Sequence, residues 1–277
     1  MSEPTTPFIS FLSDYGLDDV FVGVCHGVIA RLCPQARVLD LSHGIPRHDV
    51  LSGALALRNA LPYLPPGVHL AVVDPTVGAS GRDARRAVAL RTAEERRILV
   101  GPDNGLLALA AERLGGVVDA VDIGRSPQRL EPVSATFHGR DIFAPVAAAL
   151  AGGEPLADVG DPIAIDGLAT VEISRAQADA DGLRAHVLAI DRFGNVILDA
   201  THAELGAAGL RLGTGLELVA GGSRHAARYA ATFADVARGE LLLYEDAERM
   251  AAVAVNHGSA AQTLGLERGA PLDVRIA

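Results

Sequence analysis

The chain has 277 residues, 49% of them hydrophobic and 21% charged, with a formal net charge of −10 at pH 7. This balance excludes an intrinsically disordered chain, and the length supports one large domain or two smaller ones. The acidic surplus, with no Lys/Arg stripe, argues against a nucleic-acid partner, whose phosphates need a basic surface.

The elements follow in chain order. Phe8 to Leu12 is a short apolar run, and Val20 to Leu32 has helical spacing, so the chain opens β-loop-α. Val38 to Leu41 reads as a strand and Asp49 to Leu61 as a helix with Asp49 near its start. Val68 to Val73 is a buried strand. Ala87 to Arg91 and Arg97 to Val100 are strands around a polar turn. Pro102-Asp103-Asn104-Gly105 turns into a helix over Leu106 to Leu114. Val117 to Ile123 is a further strand, and Ile142 to Ala151 a helix ended by Gly152-Gly153. Strands alternating with helices predict an α/β domain built on a mostly parallel sheet, over residues 1–165.

From Thr170 onward the pattern changes to strands: Leu183 to Ile190, Asn195 to Leu198, Leu210 to Val219, Leu241 to Tyr244 and Leu272 to Ile276. Only Ala203 to Leu205 and Ser259 to Leu264 look helical. A smaller all-β domain is expected over residues 175–277, joined through the segment carrying Asp161-Pro162.

Cys25 and Cys33 have neither CxxC nor ligand spacing and are read as small buried side chains. The nine histidines are scattered, with no HExxH and no Cys/His cluster, so no metal is expected. Neither GxxxxGK[ST] nor GxGxxG nor GxSxG occurs where it would signify. Met1 to Pro7 has no basic or long apolar character, and no run reaches the ~20 apolar residues of a membrane span. A cytoplasmic chain with no membrane partner is the expectation.

Chemistry concentrates in separated polar blocks. Asp14, in Ser13-Asp14-Tyr15-Gly16, follows the first strand and is either an Asx-turn former or a carboxylate that holds a diol. Asp74, in Val73-Asp74-Pro75-Thr76-Val77-Gly78, ends an apolar strand and is either a loop cap or a functional carboxylate. His138 sits in Phe137-His138-Gly139-Arg140-Asp141, where small neighbours open access to a side chain suited to proton transfer near neutral pH. The block Asp191-Arg192-Phe193-Gly194-Asn195 is a β-turn with Gly194 at positive φ, or a ligand loop. As a ligand loop, the Asn195 amide suits an adenine edge and Phe193 offers a face for stacking. Phe233 in Thr232-Phe233-Ala234-Asp235 is core or ligand, and Asn256 in Val255-Asn256-His257-Gly258 is cap or ligand. Several such ends converging would make one polar site for a purine-containing ligand.

Taken in order with Leu41-Ser42-His43-Gly44-Ile45 and Gly101-Pro102-Asp103-Asn104-Gly105-Leu106-Leu107, these eight blocks resemble the S-adenosylmethionine (SAM) hydroxide adenosyltransferases. These are the SAM hydrolases, relatives of the fluorinase and chlorinase. The resemblance covers nearly the whole chain. It implies an N-terminal α/β domain and a C-terminal barrel-like domain. It also implies a homotrimer in which SAM lies between one subunit's N-domain and the next subunit's C-domain. SAM would be the substrate, with no cofactor and no metal.

By this resemblance Asp14 holds the ribose hydroxyls, and Asp19 and Asp191 the methionine ammonium. Asn195 reads the adenine edge, Phe233 stacks on the ring, and the backbone around Asn256 and His257 completes the adenine contacts. The family's hydrolases surround the attacking water with an Asp-Arg-His set, which Asp74 and His138 match. The family's Arg lies seven residues after the Asp, where this chain has Gly81. Arg82, one step later, and Arg85, just before a strand, are the two candidates. Family members carry Ser and Gly around Ala247-Glu248-Arg249, and the fluorinase an Arg for the methionine carboxylate; Arg249 is the candidate here and Glu248 cannot serve. The His138-Gly139 pair favours hydroxide over halide transfer. The implied reaction is hydrolysis of SAM to adenosine and methionine, by in-line attack on the ribose C5′. A halogenase and a non-catalytic SAM- or adenosine-binding protein are the alternatives.

Overall fold

A computed structural model describes residues 6–81, 84–179 and 182–277. The chain divides into two compact units, Met1–Val171 and Glu172–Ala277.

The N-terminal unit runs β1 (Phe8–Ser13), α1 (Phe21–Leu32), β2 (Arg37–Ser42), α2 (Val50–Ala60), β3 (Val68–Val72), β4 (Ala87–Thr92), β5 (Ile98–Pro102), α3 (Ala108–Arg113) and β6 (Val117–Asp122). A wide π-type turn, Gly139–Phe143, then leads into α4 (Ala144–Ala151), and β7 (Asp161–Pro162) follows. The strands form one sheet in the order β2-β1-β3-β5-β4-β6-β7. β2, β1, β3 and β5 pair in parallel, β4 is antiparallel to both of its neighbours, and β7 is antiparallel to β6.

Every residue of β1 and β3 is buried, because helices cover both faces of the sheet. Ile9, Phe11, Leu70 and Val72 face one core, which includes side chains of α1 and α4. Leu12, Ala71 and Val73 face the other, with Leu57, Ala110 and Ala111. Each such large side chain contributes about 1.5–3 kcal/mol by leaving water. Asp49 caps α2: its carboxylate accepts from the Ser52 backbone N–H at 3.0 Å.

The C-terminal unit runs β8 (Gln177–Asp179), β9 (Gly182–Ile190), β10 (Val196–Thr201), α5 (His202–Ala207), β11 (Gly215–Ala220), β12 (Ser223–Tyr229), β13 (Leu241–Glu245), β14 (Met250–Val255), α6 (Ala260–Leu264) and β15 (Pro271–Ile276). Its sheet order is β10-β14-β13-β12-β11-β15-β9-β8, and β10 also pairs with β9. That last pairing closes seven strands into a barrel with no free edge between them. Alternate residues such as Leu216, Leu218 and Ala220 of β11 fill the interior.

The α/β unit followed by a β unit is the fold class expected from the sequence. Details differ. The strand expected over Leu210 to Val219 begins only at Gly215, because Gly213 and Thr214 form a turn closed by hydrogen bonds to Tyr229. β8, β12 and β14 were not anticipated, and Asp161-Pro162, read as part of the join, is strand β7 of the first sheet. Cys25 and Cys33 are buried free thiols. Among the described residues no helix is long and apolar enough to cross a membrane.

Candidate active site

The parallel strands set the geometry. β1 and β3 are neighbours with Ser13 opposite Val72, so the loops opened by Asp14 and Asp74 leave the same sheet edge side by side. They line a cavity of about 620 Å³, together with His43 to His48 and Thr136 to Gly139. Asp14 is not an isolated turn-former: its Oδ2 accepts from the His48 backbone N–H at 2.9 Å, 34 residues away. Asp19 stands exposed on the cavity wall.

Asp74, Arg85 and His138 form one connected group. Arg85 Nε donates to both carboxylate oxygens of Asp74 at 3.0 Å, and its Nη2 also donates to Asp74 Oδ2. The same Nη2 lies 2.9 Å from His138 Nδ1. A guanidinium nitrogen can only donate, so His138 Nδ1 accepts and the neutral ring carries its proton on Nε2. Burial, with the positive charge of Arg85, lowers the His138 pKa below its ordinary value, against the opposing pull of Asp74 and Asp141. Both partners of the Asp74–Arg85 pair are largely shielded, with side-chain exposures of 6% and 9%. Arg85 also lies 5.4 Å over the Phe143 ring. Of the two arginine candidates, Arg85 is joined to Asp74 and His138; Arg82 lies outside the described residues.

His138 is held from its C-terminal side. It precedes the π-type turn, and Asp141 within that turn is buried and accepts from the Ser134 backbone N–H at 2.8 Å and from Arg140. Burial pushes the Asp141 pKa up, but these hydrogen bonds outweigh it and hold the group below its ordinary value. Gly139 is required by close approach: a Cβ there would overlap the Tyr15 hydroxyl and lie 3.1 Å from Tyr15 Cζ.

Tyr15 is a cavity residue that the sequence reading passed over. Its ring meets Phe21 and Phe137 at 5.9 Å, an aromatic corner beside His138. Burial, with the negative groups around it, raises the phenol pKa well above the usual value, so Tyr15 stays a donor. Its position directly after Asp14 was the available signal.

In the C-terminal unit, taken by itself, Asp191 organises its own loop. Oδ1 accepts from the backbone N–H groups of Phe193 at 2.8 Å and Asn195 at 2.9 Å, and Oδ2 accepts from Asn195 Nδ2 at 2.8 Å. The turn reading of this block is therefore correct, with Gly194 at φ 81°. A side chain on Gly194 would also collide with Ser259, so this loop and the Asn256-His257 loop pack together. Phe193 is 71% exposed and Phe233 43% exposed. The Phe233 ring packs 5.1 Å from Tyr244, a residue the sequence reading did not single out. Burial and the nearby Asp191 and Asp246 push the Tyr244 phenol up to about 12. Asn256 Nδ2 donates to the Val236 carbonyl at 2.9 Å, a cap contact, and His257 adopts a left-handed φ of 61°. Arg249 is ion-paired to Glu245 at 2.8 Å.

Comparison with known proteins gives a consistent picture. Residues 9–160 match the SAM hydroxide adenosyltransferase N-terminal domain, and residues 185–273 match the C-terminal domain. A Salinispora tropica protein named (R)-S-adenosyl-L-methionine hydrolase is 50% identical, covering 97% of this chain and 98% of its own. A Nocardia brasiliensis fluorinase is a more distant relative, 30% identical with 98% of this chain and 97% of its own covered. The crystal structure of a conserved Thermotoga maritima protein superposes with a TM-score of 0.88 at 33% identity, covering 96% of this chain and 99% of the other. With both domain types in order along one chain, and a half-identical relative spanning nearly all of it, this protein belongs to the SAM hydroxide adenosyltransferase family.

Proposed function

We propose that the chain hydrolyses SAM to adenosine and L-methionine, with Asp74, Arg85 and His138 as the water-handling group. The carrying observation is the bridging guanidinium: Arg85 fixes a carboxylate and an imidazole together on the wall of a cavity that also holds Asp14. The S. tropica relative's name supports the same reaction.

The chemistry needs little more than placement. Water attacks C5′ in line with the C5′–S bond, that bond breaks, and its electron pair returns to sulfur as neutral methionine leaves. The sulfonium is already an activated leaving group, so no acid is required for departure. The water must be positioned, stripped of bulk solvent and relieved of a proton. His138, neutral and protonated on Nε2, presents a donor that orients the water oxygen. Asp74, the acceptor of the group, takes the water's proton as the C5′–O bond forms, and Arg85 keeps both from moving. Asp14 would take the ribose hydroxyls, and Asp19 the methionine ammonium.

Asp191, Asn195, Phe193, Phe233 and the Asn256-His257 backbone would serve the ammonium and the adenine from the C-terminal unit. We propose that they are contributed by a neighbouring copy in a homotrimer, and that SAM is used without a cofactor. Light scattering coupled to size exclusion tests the assembly.

The test of function is incubation with SAM in oxygen-18 water, without and with chloride, followed by chromatography and mass detection. Equal adenosine and methionine with the label in adenosine is expected. A chlorinated nucleoside would assign the chain to halide transfer, and SAM bound without product would leave a binding protein.

A further inference from the structure

We infer that His26, Asp40 and His43 form a binding site for a divalent transition-metal ion, Zn²⁺ or a close analogue, at the cavity wall that His43 helps to line. The three come from separate places: His26 from α1, Asp40 from β2, and His43 from the residue after β2 ends. Among the described residues they are the group whose potential ligand atoms all lie within 4.8 Å of one another. Asp40 Oδ1 is 2.8 Å from His26 Nε2 and 3.1 Å from His43 Nε2. Ligands bound at ~2.0–2.2 Å in tetrahedral array stand roughly 3.3–3.6 Å apart, so small side-chain adjustments suffice to admit an ion.

The independent observation is at His43. Its side chain is 2% exposed, yet Nε2 has no hydrogen-bond partner, although a carboxylate oxygen is 3.1 Å away. Nε2 is therefore directed off the line to that oxygen, as two ligands aimed at a shared third point would be. Its other nitrogen is held: Nδ1 and Ser13 Oγ are 2.7 Å apart, and both groups are buried. In the tautomer whose Nδ1–H donates to Ser13, Nε2 is a bare lone pair facing a carboxylate, an arrangement that a cation stabilises. A ligating histidine whose second nitrogen donates to a fixed partner is the usual support of such sites. The Phe11 ring packs on both imidazoles, at 4.7 Å from His43 and 6.1 Å from His26, and limits their rotation.

Two imidazoles and a carboxylate suit Zn²⁺ or Co²⁺ rather than Mg²⁺ or Ca²⁺, which prefer oxygen alone. The His26 and Asp40 side chains are 34% and 42% exposed, which leaves an entry path and room for a water ligand. A bound ion would tie α1 to the end of β2. The His43 carbonyl accepts from the Gly16 N–H at 2.8 Å, so the clip would sit directly under the Asp14 loop.

The test uses the full chain, treated with chelator and titrated with Co²⁺, with visible absorption as readout and Zn²⁺ as competitor. Expected are d–d bands saturating at about one ion per chain. His26→Ala should weaken binding by at least tenfold, and Ser13→Ala by about 10–100-fold through the lost orienting bond. Circular dichroism checks that the variants fold, and His26, partly exposed on a helix, is the safer substitution. A rise in Tm with Zn²⁺ in the parent chain, absent in His26→Ala, is also expected. No saturable band, or equal affinity in folded His26→Ala, would overturn the site.

Discussion

Replacing Arg85 by Met separates two effects that the native guanidinium combines. The change keeps an unbranched side chain over Phe143 and removes the charge that pairs with Asp74 and abuts His138. Deleting one partner of a shielded ion pair costs about 3–5 kcal/mol, because the other charge stays buried alone. Asp74 borders the cavity, so water reaches it and the lower figure, about 3 kcal/mol, applies. At about 2–4 °C per kcal/mol for a unit of this size, Tm falls by roughly 6–12 °C. Adding Asp74→Asn removes the stranded charge, so the double variant should recover much of that loss. The second readout is His138. Burial lowers its pKa, and so does Arg85, while Asp74 and Asp141 raise it. Without Arg85 the midpoint moves up, measurable by proton NMR of the imidazole, and SAM turnover drops about 100-fold as the water position is lost. A Tm fall under about 2 °C, or strictly additive single variants, or an unmoved His138 midpoint, would refute the bridging role.

Three further outcomes are expected. Gly139→Ala should destabilise by about 1–3 kcal/mol through overlap with the Tyr15 hydroxyl, and Tyr15→Phe should relieve much of that cost; equal losses in both backgrounds by urea melts would place the conflict elsewhere. Asp14→Ala should weaken SAM binding by about tenfold or more by calorimetry, since a charged hydrogen-bond acceptor contributes about 1.5–3 kcal/mol; unchanged affinity would count against the ribose role. His69 is buried between Ser10 and Arg97, and burial, helped by Arg97, lowers its pKa to about 3. The unfolded chain takes up this proton near pH 6.5 and the folded chain does not, so stability falls as pH drops from about 6.5 towards about 3. His69→Gln should flatten that slope in urea melts across the same window, and identical slopes would remove His69 from the acid response.

The α/β half was legible because its signals are local. β1 and β3 are uninterrupted apolar runs, and α2 opens on a capping Asp49. The barrel was harder. β12, Ser223 to Tyr229, is mostly polar or small with few side chains turned inward, and β14 is Ala-rich, so neither has the branched or aromatic profile of a strand. They are strands because neighbours on both sides pair with them. At the candidate site, the residue types and blocks could be read. The choice of Arg85 over Arg82 as the partner of Asp74 could not, since spacing along the chain does not report distance across a sheet. The His26–Asp40–His43 group was invisible for the same reason: only the fold brings His26 of α1 to Asp40 and His43 at the end of β2.

The antiparallel placement of β4 has an evolutionary consequence. Asp74 follows β3 by two residues, and Arg85 precedes β4 by two, at the edge where β1 and β3 end. Each partner is anchored by its own strand rather than by the residues between them. Beyond Gly78, which packs against Ala135, residues can be inserted or deleted before Arg85 over generations without moving either group. A signature written as a fixed interval from this Asp to its Arg would then miss relatives whose chemistry is intact, whereas one anchored to the start of β4 would keep them.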